Sequence, residues 1–157
     1  MDDVVVAAAA ILHTDRLLVA KRWNPAPVAG QWELPGDELR EDESGPDALR
    51  REFAEEFGLS IDCYDRILSD QRMIAWRIED GTPVDGVLRV WRCRLPTGRT
   101  FNLDAGEPRP NLHEYDSVSW LPLDDFDAVG PWRDADRAIV DAIVAYYRVD
   151  PSWPTSG

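Results

Sequence analysis

Arg51-Glu52-Phe53-Ala54-Glu55-Glu56-Phe57-Gly58-Leu59 decides how this chain is read. At about 100° of rotation per residue, Glu52, Glu55 and Glu56 share one helical stripe roughly 100° wide. Phe53 points the other way, with Leu49 and Phe57 beside it. The segment therefore offers an apolar face to a core and a carboxylate face to something else. Like charges three or four positions apart on a helix repel by about a few tenths of a kcal/mol per pair. Three on one stripe make most sense when a cation neutralises them. Oxygen-only ligands suit hard divalent ions such as Mg²⁺, which bind a few carboxylates together with substrate phosphates. The competing reading is a solvated acidic face, the ordinary state of a surface helix.

The flanking residues favour the cation. Ser44 is a good N-cap, Asp47 three positions on completes a box-like arrangement, and Pro46 suits the first turn. Gly58 stands where a left-handed C-cap is expected. Upstream, Gln31-Trp32-Glu33-Leu34-Pro35-Gly36-Asp37 reads as a short apolar strand running into a tight turn. The order strand, loop, helix brings the carboxylates close to a loop that can add a backbone carbonyl to a metal shell.

These residues resemble the signature of the Nudix hydrolases, and within them the MutT-like nucleoside triphosphate pyrophosphohydrolases. That signature runs Gly, five residues, Glu, seven residues, Arg-Glu, an apolar residue, any residue, Glu-Glu, any residue, Gly and an apolar residue. Glu43 fills the first Glu, and Arg51 to Leu59 follow without a mismatch. The signature Gly falls on Asp37, whereas Gly36, whose carbonyl is a metal ligand in similar enzymes, is kept. Two readings of Asp37 stand: it occupies a turn needing positive φ, which Asp tolerates better than most residues, or it adds a carboxylate near the metal. Arg40 and Asp42 replace a frequent Glu and a frequent Gly at positions the signature leaves free.

Composition agrees with an enzyme. The 157 residues suit one domain with one core, here residues 1–150, followed by a loose tail at 151–157. Apolar residues make up 44%, with seven Trp, which argues against disorder. A net charge of −13 argues against binding to nucleic-acid backbones, which needs basic patches. It also means that bound Mg²⁺ and local Arg or Lys must reverse the field in any cleft that takes an anionic substrate. Cys63 and Cys93, far apart in sequence, read as free thiols in a cytoplasmic protein, with a disulfide between them as the lesser alternative. Residues 4–12 are apolar but too short to span a membrane, and Asp2-Asp3 is unlike the start of a signal peptide.

The remainder alternates strand and helix. Residues 3–12 and 16–22 read as strands joined by His13-Thr14-Asp15, and 23–30 as a Pro-containing loop. Strands are expected at 61–67, 73–78, 84–93 and 117–121, and a loop at 97–110. A helical turn is expected at 124–127, and an amphipathic helix over 134–147. The Nudix resemblance implies an α/β fold, an α/β/α sandwich with a mixed β-sheet between helices. The Trp-rich positions and last helix permit a homodimer as well as a monomer.

The resemblance also implies roles outside the signature. Lys21-Arg22 matches a basic pair that contacts phosphate, and Leu34 lies in the substrate-facing Trp-Glu-Leu-Pro segment. Glu114, six residues before Trp120, matches a Glu that reaches the metal or activates water. Asp136 matches an Asn or Asp that reads the base edge. Each has a plainer reading: a solvated strand end, a loop carboxylate, and a helix N-terminal acid favoured by the macrodipole. An ionised Asp accepts hydrogen bonds only, which suits an exocyclic amine. The family mechanism then implies one to three Mg²⁺ (or Mn²⁺) ions held by Glu52, Glu55, Glu56 and the Gly36 carbonyl, with Glu52 or Glu114 as general base. Arg51 would fix the carboxylates, with Glu43 as its partner. Water would convert a nucleoside triphosphate, with CTP, dCTP or an oxidised purine nucleotide favoured, to monophosphate and pyrophosphate. ADP-ribose or another diphosphate as substrate, and a Nudix-like domain that binds without cleaving, are the alternatives. His13 and His113 have no partner at zinc-ligand spacing, and no GxSxG supports a covalent nucleophile.

Overall fold

The computed structural model describes residues 4–77 and 79–149. Val4–His13 (β1) and Arg16–Arg22 (β2) form a hairpin across the expected turn. Trp32–Glu33 (β3), Gly36–Glu38 (β4), the helix Gly45–Phe57 (α1), Asp62–Trp76 (β5), Pro83–Arg94 (β6), Tyr115–Pro122 (β7) and the helix Asp134–Val149 (α2) follow. Short 3-10 turns sit at Ala26–Val28 and Phe126–Ala128.

The seven strands make one mixed sheet ordered β3-β2-β1-β6-β5, with β4 added to β1 and β7 to β2. The β1–β6 pairing is parallel and the other pairings are antiparallel. β1 runs through the middle, and its alternation divides the core. Ala8, Ala10 and Leu12 face one side with Ile139, Val140 and Ile143 of α2. Ala7, Ala9 and Ile11 face the other with Ala48, Leu49 and Phe53 of α1. Small residues along β1 let both helices approach closely, and the result is the expected α/β/α sandwich. Each fully buried Leu, Ile or Phe in these layers contributes about 2 kcal/mol of transfer free energy.

α1 forms where its local signals place it. Ser44 accepts from the Asp47 N–H, Asp47 returns a bond to the Ser44 N–H, and Gly58 closes the helix with φ 65°. Loss of such an N-cap costs about 1 kcal/mol. The tight turn before it differs from expectation. The 31–37 segment is two short strands on different neighbours, β3 on β2 and β4 on β1. Asp37 lies within β4, and the left-handed residue of the following loop is Asp42, with φ 65°. The strain expected at Asp37 is therefore carried at Asp42, where a frequent Gly is also replaced. Gly36 is required for another reason: a Cβ there would overlap the Ala7 carbonyl oxygen, so only glycine lets β4 lie against β1.

The strands expected at 61–67 and 73–78 are one long strand, β5, up to Trp76; Ile78 lies outside the described residues. Irregular register between Ile67 and Gln71, with Leu68 at φ 66°, carries the chain across the polar run between them. The tail at 151–157 also lies outside the described residues. Among the described residues, no helix is long and apolar enough to cross a membrane.

Candidate active site

The site gathers where α1, β4 and the start of β7 meet. Glu52 projects from the inner face of α1 and is 2% exposed. Asp37 comes from β4 and Glu114 from the residue preceding β7. Carboxylate oxygens of these three lie within 4.8 Å of one another. Glu52 Oε1 and Glu114 Oε2 are buried with no hydrogen-bond partner, although Arg22 Nη1 lies 3.7 Å from the latter. Burial, followed by the charges of Glu114 and Asp37, pushes the Glu52 carboxyl far up from its ordinary value. Burial also raises Glu114, against the pull of Arg22.

This crowding fits a divalent cation. The donors are all oxygens, two of them are orphaned and buried, and the three groups can ionise together only when positive charge enters between them. The stripe expected from the sequence is divided by this geometry. Glu55 has rotated to the rim, where it is half exposed and faces Arg51 at 3.7 Å and Arg40 at 3.8 Å. Glu56 is buried, and its Oε1 accepts the Tyr115 N–H at 3.1 Å. Both line a cavity of about 240 Å³ with Glu52, His113 and Glu114, but the tight oxygen group contains Asp37 in their place. Glu56 also anchors the loop that presents Glu114, because its carbonyl accepts the Asn111 N–H at 2.6 Å.

Arg51 organises the rim. Its guanidinium donates to both oxygens of Glu43 (2.8 and 3.0 Å), to Asp37 Oδ2 (2.9 Å) and to the Glu38 carbonyl (3.1 Å). The forked geometry ties helix, loop and strand together in a way a Lys ammonium would not reproduce. These hydrogen bonds hold the Glu43 carboxyl down at about 2.

On the far side of Glu114 lies a second group that sequence reading missed. Glu33, 4% exposed, takes Arg22 Nη1 at 3.4 Å, Arg133 Nη1 at 3.2 Å and the Tyr115 hydroxyl at 3.4 Å. Residues 131–133 run beside β3, with Trp32 N–H on the Pro131 carbonyl and Arg133 N–H on the Trp32 carbonyl. That places Arg133 next to Glu33 although 100 positions separate them. The Tyr115 hydroxyl accepts the Gly36 N–H and lies 3.1 Å from the Gly36 carbonyl oxygen. It thus braces the carbonyl expected to face a metal. Arg22, Glu33, Gly36, Asp37, Arg77 and Glu114 line a cavity of about 120 Å³. A larger one of about 490 Å³ adjoins it, sharing Val28, Met73, Trp76 and Arg133.

Three positions expected at the substrate are placed elsewhere. Lys21, one residue from Arg22 on the same strand, points to the opposite face and pairs with Asp116 at 3.5 Å. Leu34 and Asp136 are buried, at 1% and 3% exposure, and outside the lining of these cavities. Asp136 Oδ1 accepts the Leu34 N–H at 2.9 Å, which pins α2 to the segment between β3 and β4. Burial and the nearby Glu33 raise its carboxyl.

Known proteins carry the same architecture. A Mycobacterium tuberculosis protein provisionally named 8-oxo-dGTP diphosphatase 2 is 34% identical over 131 residues, covering 76% of this chain and 82% of its own. The Escherichia coli CTP pyrophosphohydrolase is 36% identical over 78 residues, half of this chain and 58% of its own. The solved MutT NUDIX hydrolase from Burkholderia pseudomallei superposes with a TM-score of 0.62 at 28% identity, over 90% of this chain and 98% of that one. The NUDIX domain model matches residues 3–143, a span that takes in both helices' packing faces and every carboxylate of the cleft. On that breadth of agreement, the chain belongs to the NUDIX domain family.

Proposed function

We propose that the protein cleaves a nucleoside triphosphate to a nucleoside monophosphate and pyrophosphate, with a cytidine or oxidised purine nucleotide as its preferred substrate. The coarser statement is firm: it is a Nudix hydrolase, acting on acid anhydrides. The observation that carries the finer one is the orphaned Glu52 carboxylate facing Asp37 and Glu114 beside an arginine-lined cavity. The names of both relatives specify a nucleoside triphosphate.

Asp37, Glu52 and Glu114, with the Gly36 carbonyl, would hold the cation, Mg²⁺ or Mn²⁺. Bound there, it would supply neutralisation of phosphate charge and acidification of a water. We assign proton removal to Glu114 over Glu52. Glu52 lines only the carboxylate cavity, whereas Glu114 lines both that cavity and the arginine cavity and so reaches water and phosphate alike. The water oxygen bonds to phosphorus and the α–β anhydride P–O bond breaks: attack at the α-phosphorus expels pyrophosphate with the bridging oxygen, and attack at the β-phosphorus expels the nucleoside monophosphate with it. Arg22 and Arg133 orient the phosphates; each is already balanced by Glu33, so they guide more than they neutralise.

The nucleoside would occupy the adjoining cavity of about 490 Å³, where Met73 and Trp76 offer apolar surface and Gln31, Asp85 and Asp134 offer polar atoms. Asp136 holds the Leu34 N–H with Oδ1 and does not line this cavity. The test is pyrophosphate and phosphate release with Mg²⁺ over ordinary NTPs and dNTPs, 8-oxo-dGTP, 5-methyl-dCTP and ADP-ribose. Pyrophosphate from one triphosphate is expected. Turnover of ADP-ribose alone would overturn the substrate class while leaving the family intact.

A further inference from the structure

Cys63 on β5 and Cys93 on β6 stand directly opposite each other in an antiparallel ladder. Their sulfurs are 3.5 Å apart, though 30 positions separate them in the chain. Neither lines the hydrolytic cavities. We propose that this pair is a redox modification site, which a peroxide closes to an intramolecular disulfide and a dithiol reopens.

The backbone is already in range. Opposed residues of an antiparallel pair have Cα atoms about 4.5 or 5.5 Å apart, and disulfides span roughly 4.4–6.8 Å. From 3.5 Å the sulfurs need to close by about 1.5 Å, a side-chain rotation. One buried cysteine would be ordinary core packing. Two on the same rung, both free, with one half-buried and one enclosed, form a reaction-ready pair.

The exposures set the order of events. Cys93 is fully enclosed with Ala48, Leu49 and Phe53 beneath α1. Cys63 is half-buried on β5, the end strand of the sheet, and meets the oxidant first. The hydrogen bond from Cys93, and then the charge of Arg50, hold its thiol below the ordinary value, which enriches the thiolate. That thiolate attacks one peroxide oxygen, the O–O bond breaks, and Cys63 becomes a sulfenic acid as hydroxide leaves. The Cys93 sulfur then displaces the hydroxyl from Cys63, the S–S bond forms, and the Cys93 proton leaves with the departing hydroxide as water. Two thiols lose two electrons and the peroxide is reduced to two waters.

The test treats the full chain with hydrogen peroxide and follows free thiols, intact mass without reductant, and melting. Wild type is expected to lose both thiols together as a monomer whose mass falls by two hydrogens, and to recover them with dithiothreitol. Its melting temperature should rise by about 5 °C on oxidation, because the bond cross-links a long loop of the unfolded chain. Cys63→Ser should leave Cys93 unmodified at the same dose. Persistence of both thiols, addition of oxygen at Cys63 with Cys93 still free, or a disulfide-linked dimer would each overturn the proposal. These readouts are independent of hydrolysis, so they stand or fall apart from the nucleotide reading.

Discussion

Arg51 and Glu52 are neighbours on α1, yet the rim and the inner face of that helix handle charge in opposite ways. On the rim, Arg51 meets Glu43, Asp37 and the Glu38 carbonyl, and the local charges are met within the protein. One residue on, Glu52 is sealed against two further carboxylates with an oxygen left without a partner. The rim is finished by folding. On the proposed function, the inner face is finished by a cation, and buried carboxylates left without partners are the arrangement such a site needs. Asp37 belongs to both regions, since it accepts from Arg51 while facing Glu52.

Breaking the inner face should have the largest effect. Glu52→Gln is expected to lower kcat/KM about 1000-fold, the scale of losing one central electrostatic group. The same change should raise the melting temperature of metal-free protein at neutral pH, because Gln is neutral there without having to hold a proton that the unfolded chain releases. The sign follows from the raised carboxyl. Above the unfolded value of 4.5, the unfolded chain releases a proton that the fold retains, so metal-free wild type loses stability as pH rises. The variant should show a shallower slope in thermal melts across pH, keeping the part that Glu114 and Asp136 contribute.

Breaking the rim should come next. Arg51→Ala leaves Asp37 and Glu43 without their partner and should cost about 2–4 kcal/mol in denaturant unfolding, with activity reduced in step. Arg51→Lys restores the charge without the fork and should recover only part of either. Tyr115→Phe sharpens the link between the regions. It removes the hydroxyl that braces Gly36 while keeping the ring stacked on Phe57. Metal affinity is expected to fall about 10-fold, the usual cost of losing a supporting hydrogen bond, and melting should fall by a few degrees because the buried Gly36 N–H loses its acceptor.

The smallest effect concerns Glu43. Its carboxyl titrates at about 2 in the fold against an ordinary value of 4.5. Its contribution is therefore present above 4.5 and lost as pH falls towards 2. Glu43→Gln should flatten acid unfolding within that window and leave the neutral-pH response to added metal unchanged.

Local signals made α1 legible: Ser44, Asp47 and Gly58 act within one turn of themselves, so their reading needed no tertiary knowledge. The sandwich followed from the motif and the alternating strands. β5 read as two strands because the polar run Ser69-Asp70-Gln71-Arg72 breaks the apolar period, whereas an edge strand with a bulge tolerates it. Glu33, Arg133 and Tyr115 were invisible for a different reason. They meet only after β3, the 131–133 segment and β7 converge, and no spacing along the chain records that meeting. Asp136 matched its family position in sequence, but its bond to the Leu34 N–H, 102 positions away, arises only once α2 packs beside the β3–β4 segment.

Glu52 is the proposed seat of a cation. Mn²⁺ titration of metal-free wild type and Glu52→Gln by calorimetry, with melting curves to confirm folding, addresses that directly. Saturable binding by wild type, at least about 10-fold weaker in the folded variant, is the predicted result. Equal affinity in the two proteins would contradict it.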